Sequence, residues 1–278
     1  MNALPGQVAD IEAATSHLQM LTGDVDPGID LQVFCDADKS RRDLARTMRG
    51  RFSTLVPQLL QAQRDGCGVF VALNQTDGSG RRKKENITAA RVVFLDLDGS
   101  PLPDRWPVAP AMVMRTSSPS AEVTKFHCWW PIQPTEDLEG WVALQKFLAD
   151  QYGGDPKCAL TTQVGRLAGF FHQKNPDHPH QVTIIEHDEH YGFGTPPTLQ
   201  NLAEIFGFDI EAAKRTSPER ARIDEPASGW DDPADIERAE TFAAVAGDWH
   251  PTNDGSVSIY KMACALRDFA VSPETAVD

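Results

Sequence analysis

Val92-Val93-Phe94-Leu95-Asp96-Leu97-Asp98-Gly99 is the stretch that decides the reading of this chain. Four consecutive apolar residues, rich in Val and Phe, specify a buried strand. Side chains alternate along a strand, so Asp96 and Asp98 share one face while Leu97 turns into the core. Two carboxylates at this spacing repel, and each raises the pKa of the other. A divalent cation between them removes that cost, and hard cations take oxygen ligands. Gly99 lets the backbone turn away directly after the pair. The plain alternative is a solvated strand end with two acids. A pair at the mouth of so apolar a strand argues for a site.

Composition bounds what surrounds this strand. A chain of 278 residues buries a large core, as one large domain or a domain with an appendage. Its 41% hydrophobic content suits a globular protein. No apolar run approaches the ~20 residues of a transmembrane helix, so no membrane partner is expected. Met1-Asn2-Ala3-Leu4-Pro5-Gly6 lacks the basic and apolar segments of a signal peptide. The five cysteines are odd in number, scattered and free of any CxxC, as in a reduced cytoplasmic protein.

A net charge of −14 argues at first against a nucleic-acid partner. The charge is unevenly placed. Arg41, Arg42, Arg46, Arg49, Arg51, Arg64, Arg81, Arg82, Lys83 and Lys84 crowd one half, and the segment after Arg222 is strongly acidic. A basic half inside an acidic average can still bind polyanions locally, through Arg41, Arg42, Arg46 and the Arg81-Arg82-Lys83-Lys84 loop. The alternative for Arg41–Arg51 is a solvated helix face.

Periodicity predicts a mixed α/β pattern. Helices are expected over Asp10–Leu21, over Ser40–Gln63 with a kink at Pro57, and over Thr135–Tyr152 with Thr135 as its cap. Strands are expected over Leu31–Phe34, Val69–Leu73, Ala90–Leu97, Ala111–Arg115, Lys125–Pro131 and Gln181–Glu186. Short strands with helices between them suggest α+β layers. Residues 1–212 are read as the main domain. The polar, proline-containing stretch 213–233 reads as a linker, and 234–278 as a helical domain. Ser272-Pro273-Glu274 starts a helix that the chain does not continue, so this last domain is expected to be truncated.

The DxDG after a hydrophobic strand resembles the first motif of haloacid-dehalogenase-type phosphatases, in which Asp96 would be a nucleophile. The expected downstream acidic pair is missing, since Gly154-Asp155 runs into Pro-Lys-Cys-Ala-Leu. The order of motifs fits another family. Asn74-Gln-Thr-Asp77-Gly78-Ser-Gly80-Arg81-Arg82 precedes the acids. Ser117-Ser118-Pro119, Lys125-Phe126-His127-Cys128-Trp129-Trp130, Gly153-Gly154-Asp155-Pro156 and Arg166-Leu-Ala-Gly169-Phe170-Phe171-His172-Gln-Lys174 follow them. From roughly Leu31 to Glu186 the chain resembles the RepB-type plasmid and phage primases of the archaeo-eukaryotic primase superfamily. Many members carry Ser-x-His in the second motif, and Lys125 takes the serine's place here.

The resemblance implies an RNA-recognition-like palm of antiparallel sheet with an N-terminal α/β module and a C-terminal helical appendage. It implies a DNA primase and polymerase acting on single-stranded DNA and nucleoside triphosphates in plasmid or phage replication, with a helicase domain or protein as a further partner. Asp96, Asp98 and Asp155 would be catalytic and bind Mg²⁺ or Mn²⁺. His127, Lys125, Arg166 and Lys174 would contact the nucleotide. The chemistry is suited to these residues, because phosphoryl transfer needs positioning and charge neutralisation more than covalent catalysis. His127, between Phe126 and Trp129, also fits a core histidine. Trp129 and Trp130 point to opposite strand faces, so one is expected in the core and the other is a candidate to stack a base. His172, His178, His180, His187 and His190 lack paired cysteines and make a weak case for structural zinc. A non-catalytic origin-binding module is the other alternative.

Overall fold

The apolar run lies inside a longer strand, β5 (Ile87–Asp98), in which residues 89–95 are all buried. Such a strand is covered on both faces, which is why its sequence does not alternate. The structure, a computed structural model, describes residues 8–118, 121–188, 195–216 and 232–245. The chain divides into two compact units, Met1–Arg215 and Thr216–Asp278.

In the first unit the order is α1 (Ile11–Thr22), β1 (Gly28–Cys35), β2 (Arg46–Arg51), α2 (Phe52–Arg64), β3 (Cys67–Ala72), β4 (Gln75–Thr76), β5, β6 (Met112–Arg115), β7 (Lys125–Thr135), α3 (Leu138–Tyr152), β8 (Val164–Arg166), β9 (Phe171–His172), β10 (His180–Gln181), β11 (Thr183–His187), α4 (Leu199–Ile205) and α5 (Ile210–Thr216). A four-stranded sheet runs β2-β1-β3-β8 and a five-stranded sheet runs β11-β6-β7-β5-β4, with antiparallel pairing throughout.

The two faces of β5 feed two cores. Val92 and Phe94, with Met112, Met114 and Trp129, pack toward the four-stranded sheet, α1 and α2. Val93, Leu95 and Leu97, with Val113 and Trp130, pack against α3 and α4 through Trp141, Leu144, Leu148 and Leu202. Helix α1 buries Ala14, His17, Leu18 and Leu21, one helical face. Asp10 caps its start by accepting from the Ala13 N–H at 2.9 Å, and Gly23 ends it at φ 74°.

The structure corrects several expectations. Residues 40–63 are not one helix: β2 occupies 46–51 and α2 begins at Phe52. Met48 is the buried position of β2 and pairs with Leu31, while Arg46, Thr47, Arg49 and Arg51 are exposed around it. The arginines therefore line an edge strand and its approach, where charge discourages edge-to-edge pairing, and not a helix face. The cap of α3 is Asp137, which accepts from the Gly140 N–H at 2.9 Å. Thr135 ends β7, and its hydroxyl accepts from the Asp137 N–H. Both Trp129 and Trp130 are fully buried, so neither stacks a base. Trp130 donates to the Val108 carbonyl, and Trp129 lies 4.5 Å from both the His17 and the Phe94 rings, centroid to centroid.

Helix α5 reaches into the stretch read as a linker, of which 217–231 lie outside the described residues. In the second unit α6 spans Pro233–Val245. The rest of the stretch read as a helical domain, 246–278, with the helix start at Ser272, lies outside the described residues.

Candidate active site

Asp96 and Asp98 end β5 on the face that Val92 and Phe94 use, where the two sheets meet. Antiparallel register sets His127 opposite Asp96 and Lys125 opposite Asp98. The side chains follow: His127 Nε2 lies 3.7 Å from Asp96 Oδ1, and Lys125 Nζ lies 2.5 Å from Asp98 Oδ1. His127 is buried against Phe94, and its Nδ1 has no hydrogen-bond partner among the described residues. Burial pushes the Asp96 carboxyl up. The pull of His127, Lys125 and Arg166 outweighs it and holds the group below the usual carboxylate range.

The far edge of β5 is unpaired beyond Ala89, because β4 covers only its first residues. Its backbone groups are satisfied in another way. Trp141 Nε1 donates to Val92 O at 2.7 Å. Gln145 accepts from Phe94 N–H and donates to Phe94 O, both at 2.9 Å. The Asp155 N–H donates to Asp96 O at 2.9 Å. A buried edge must be matched group for group, and α3 does this with side chains. The same matching ties Asp155 to Asp96. Gly153 leaves α3 at φ 66°, and a Cβ on Gly154 would lie 2.4 Å from Leu95 Cδ1, so the approach requires glycine. The Asp155 carboxylate accepts from the Lys157 N–H at 2.8 Å and caps the short turn Pro156–Ala159.

Arg166, on β8, is held by Asp36 just past β1. Its two terminal nitrogens donate to the two carboxylate oxygens at 3.0 and 2.9 Å, and it lies 4.6 Å over the Phe70 ring. Gln173 N–H adds a third bond to Asp36 at 2.9 Å. His172 and His180 both donate a ring N–H to Thr116 O, and their rings meet edge to face at 4.8 Å. Burial is the main cause that pushes the His172 imidazole down to about 4. Lys174 is exposed in the turn between β9 and β10.

The fold thus brings Asp96, Asp98, Lys125 and His127 together and sets the Asp155 backbone and the Arg166 charge beside them. Among the described residues no group of three or more His, Cys, Asp or Glu side chains is placed to share a metal ion. The pair Asp96 and Asp98 still fits a divalent cation. It supplies two oxygen ligands held in register, a cationic ammonium already sits on one of them, and Mg²⁺ commonly takes one or two carboxylates with substrate phosphates. The histidines 172 and 180 are partnered by a carbonyl rather than arranged around zinc.

The expected DNA contacts lie apart from one another in sequence and differ in freedom. Arg41 is paired with Asp43 at 2.9 Å, while Arg42 and Arg46 are exposed. In the 81–84 loop Arg81, Lys83 and Lys84 are exposed, and Arg82 is tucked in with Nη1 donating to Thr162 O. Sequence reading missed Asp36 and Gln145. Asp36 had a signal, an acid directly after an apolar strand, as at Asp96. Gln145 had none, because a polar residue at a buried helix position is explained only by the strand edge it meets.

No family model matches the chain, and no curated protein matches it in sequence. Among solved structures it is similar to the AEP domain of the cyanophage S-2L primase-polymerase, with a TM-score of 0.54 and 19% identity over 71% of this chain and 98% of that one. The catalytic domain of primase RepB′ in complex with initiator DNA follows at TM-score 0.48 and 20% identity, over 74% of this chain and 98% of that one. Primase RepB′ follows at 0.49 and 16%, over 94% and 92%. The α+β fold of this chain is similar to that of the cyanophage AEP domain.

Proposed function

We propose that this chain is a metal-dependent primase-polymerase that makes short primers on single-stranded DNA from nucleoside triphosphates. One observation carries the reading: two carboxylates on one strand face, set by register against a lysine and a histidine, on a fold shared with a primase-polymerase domain. Bound Mg²⁺ or Mn²⁺ would neutralise phosphate charge and ease deprotonation of the attacking 3′-hydroxyl. Asp96 and Asp98 would hold the cation, and the Asp155 backbone keeps the end of β5 in place. Lys125 would exchange Asp98 for a phosphate oxygen as nucleotide enters. His127 would donate from Nε2 to the triphosphate. Arg166, fixed by Asp36, would add a positive charge that cannot swing away, and Lys174 a mobile one. Arg41, Arg42, Arg46 and the 81–84 loop would track the template phosphates. A role in plasmid or phage replication beside a helicase belongs to the same reading.

The test is primer synthesis on single-stranded DNA with labelled nucleotides. Asp96→Asn and Asp98→Asn keep the side-chain shape and remove the charge, so synthesis should be lost while the fold persists. Full synthesis in either variant would refute the assignment. The phosphatase alternative draws no support from this fold. Template-independent release of phosphate from small phosphoesters would revive it. DNA binding without any nucleotide incorporation would favour the non-catalytic module.

A further inference from the structure

Cys35 closes β1 and Cys67 opens β3, and the antiparallel register sets the two directly opposite each other. Such pairs alternate between hydrogen-bonded and non-hydrogen-bonded, and side chains lie closer in the second kind. The next pair outward, Asp36 and Gly66, is bonded, with the Asp36 N–H donating to Gly66 O at 3.3 Å. Cys35 and Cys67 are therefore a non-hydrogen-bonded pair. That pairing sets Cα atoms about 4.5 Å apart, within the ~4.4–6.8 Å that a disulfide spans. Both side chains share a face. Val33 and Val69 pair two positions inward and are both buried in the core, so alternation turns Cys35 and Cys67 to that same side.

The two thiols are free and differ in access. Cys67 is fully buried, and burial, followed by the nearby Cys35, pushes its thiol up to about 11. Cys35 is half-buried, whereas Cys128 and Cys158 are 0% exposed. Among the described residues Cys35 is thus the one cysteine that solvent reaches. An accessible thiol with a second one poised beside it is the arrangement that senses oxidants.

We infer that Cys35 and Cys67 form a reversible disulfide when the protein meets hydrogen peroxide. The Cys35 thiolate attacks one peroxide oxygen, the O–O bond breaks, and the departing hydroxide takes up a proton to become water. The sulfur is oxidised to a sulfenic acid and the peroxide is reduced. The Cys67 sulfur then attacks the Cys35 sulfur. The S–S bond forms, the S–O bond breaks, and the hydroxyl leaves as water with the proton of the Cys67 thiol. Two thiols and one peroxide yield one disulfide and two waters, and a reducing dithiol reverses the bond by exchange.

The bond clamps the strand ends that carry Asp36. On the opposite face Asp36 holds Arg166 and the Gln173 N–H, and its carboxylate lies so close over Gly68 that a Cβ there would come within 2.6 Å of Oδ2. Gln173 Nε2 also donates to Cys67 O at 3.1 Å. Oxidation therefore stiffens the mount of Arg166 without touching Arg166 itself.

The test treats the full chain with stoichiometric hydrogen peroxide, then applies alkylation, proteolysis and mass spectrometry. A peptide pair joined through Cys35 and Cys67 should appear, two hydrogens lighter than its parts, and dithiothreitol should release it. The oxidised chain should melt higher by roughly 4–16 °C. Cys35→Ser should abolish both the bond and that shift. Cys67→Ala is a second variant, in which Cys35 should stop at the sulfenic acid and be trapped by dimedone. A Cys35 that stays a free thiol would overturn the proposal. So would a bond from Cys35 to Cys128, Cys158 or Cys264 in place of Cys67, or an oxidised chain that melts no higher than the reduced one. Primer synthesis enters none of these measurements, so failure of the primase reading leaves the result intact.

Discussion

Asp36→Ala should be among the most destabilising single changes in the first unit, and its cost follows from the geometry around Arg166. Asp36 accepts three hydrogen bonds, two from Arg166 and one from the Gln173 N–H. The side chains are 3% and 14% exposed, so solvent cannot replace what is lost. Removing the carboxylate leaves a largely buried guanidinium over the Phe70 ring without its ion-pair partner. Breaking one side of a buried ion pair costs about 3–5 kcal/mol. That is a large part of the ~5–15 kcal/mol that stabilises a domain. In a unit of this size it should lower the melting temperature by roughly 6–20 °C. The double variant Asp36→Ala, Arg166→Met should recover most of the loss, because no unpaired charge remains. Urea unfolding of the four proteins in this cycle measures the coupling. A cost below about 1 kcal/mol for Asp36→Ala, or a double variant less stable than the single, would refute the argument that burial makes this pair strong.

Three further outcomes are expected. His127→Ala should weaken nucleotide binding by about 1.5–3 kcal/mol while metal still binds at Asp96 and Asp98; an unfolded variant would mark His127 as purely a core residue. Single-stranded DNA affinity should fall with salt by a log–log slope of about −0.7 per phosphate neutralised, and Arg42→Ala and Arg46→Ala should each reduce that slope, whereas an unchanged slope would move the template elsewhere. Stability should drop with acid. Burial holds His17 at about 3 and His172 at about 4, both below the ordinary 6.5, so the unfolded chain takes up protons that the folded chain refuses. The melting temperature should therefore fall as pH decreases from about 6.5 toward 4, and His172→Gln should flatten that fall. A melting temperature that rises over this range would contradict the sign.

The sequence by itself determined the strand at Val92–Leu95, the shared face of Asp96 and Asp98, and the helix over Asp10–Leu21, because these depend on residues a few positions apart. Alternation along a strand and the periodicity of a helix are local rules. The α+β class and the primase-like order of motifs were legible for the same reason. The tertiary structure decided the rest. Whether Arg46–Arg51 became helix or strand depended on Leu31 offering a register partner to Met48. That His127 and Lys125 meet the acids, and that Gln145 and the Asp155 N–H complete the edge of β5, are pairings across 27 to 59 positions of chain. Arg166 and Asp36 lie 130 positions apart. No local pattern encodes such contacts, since each depends on which buried donor finds which buried acceptor once the two sheets have closed over their shared core.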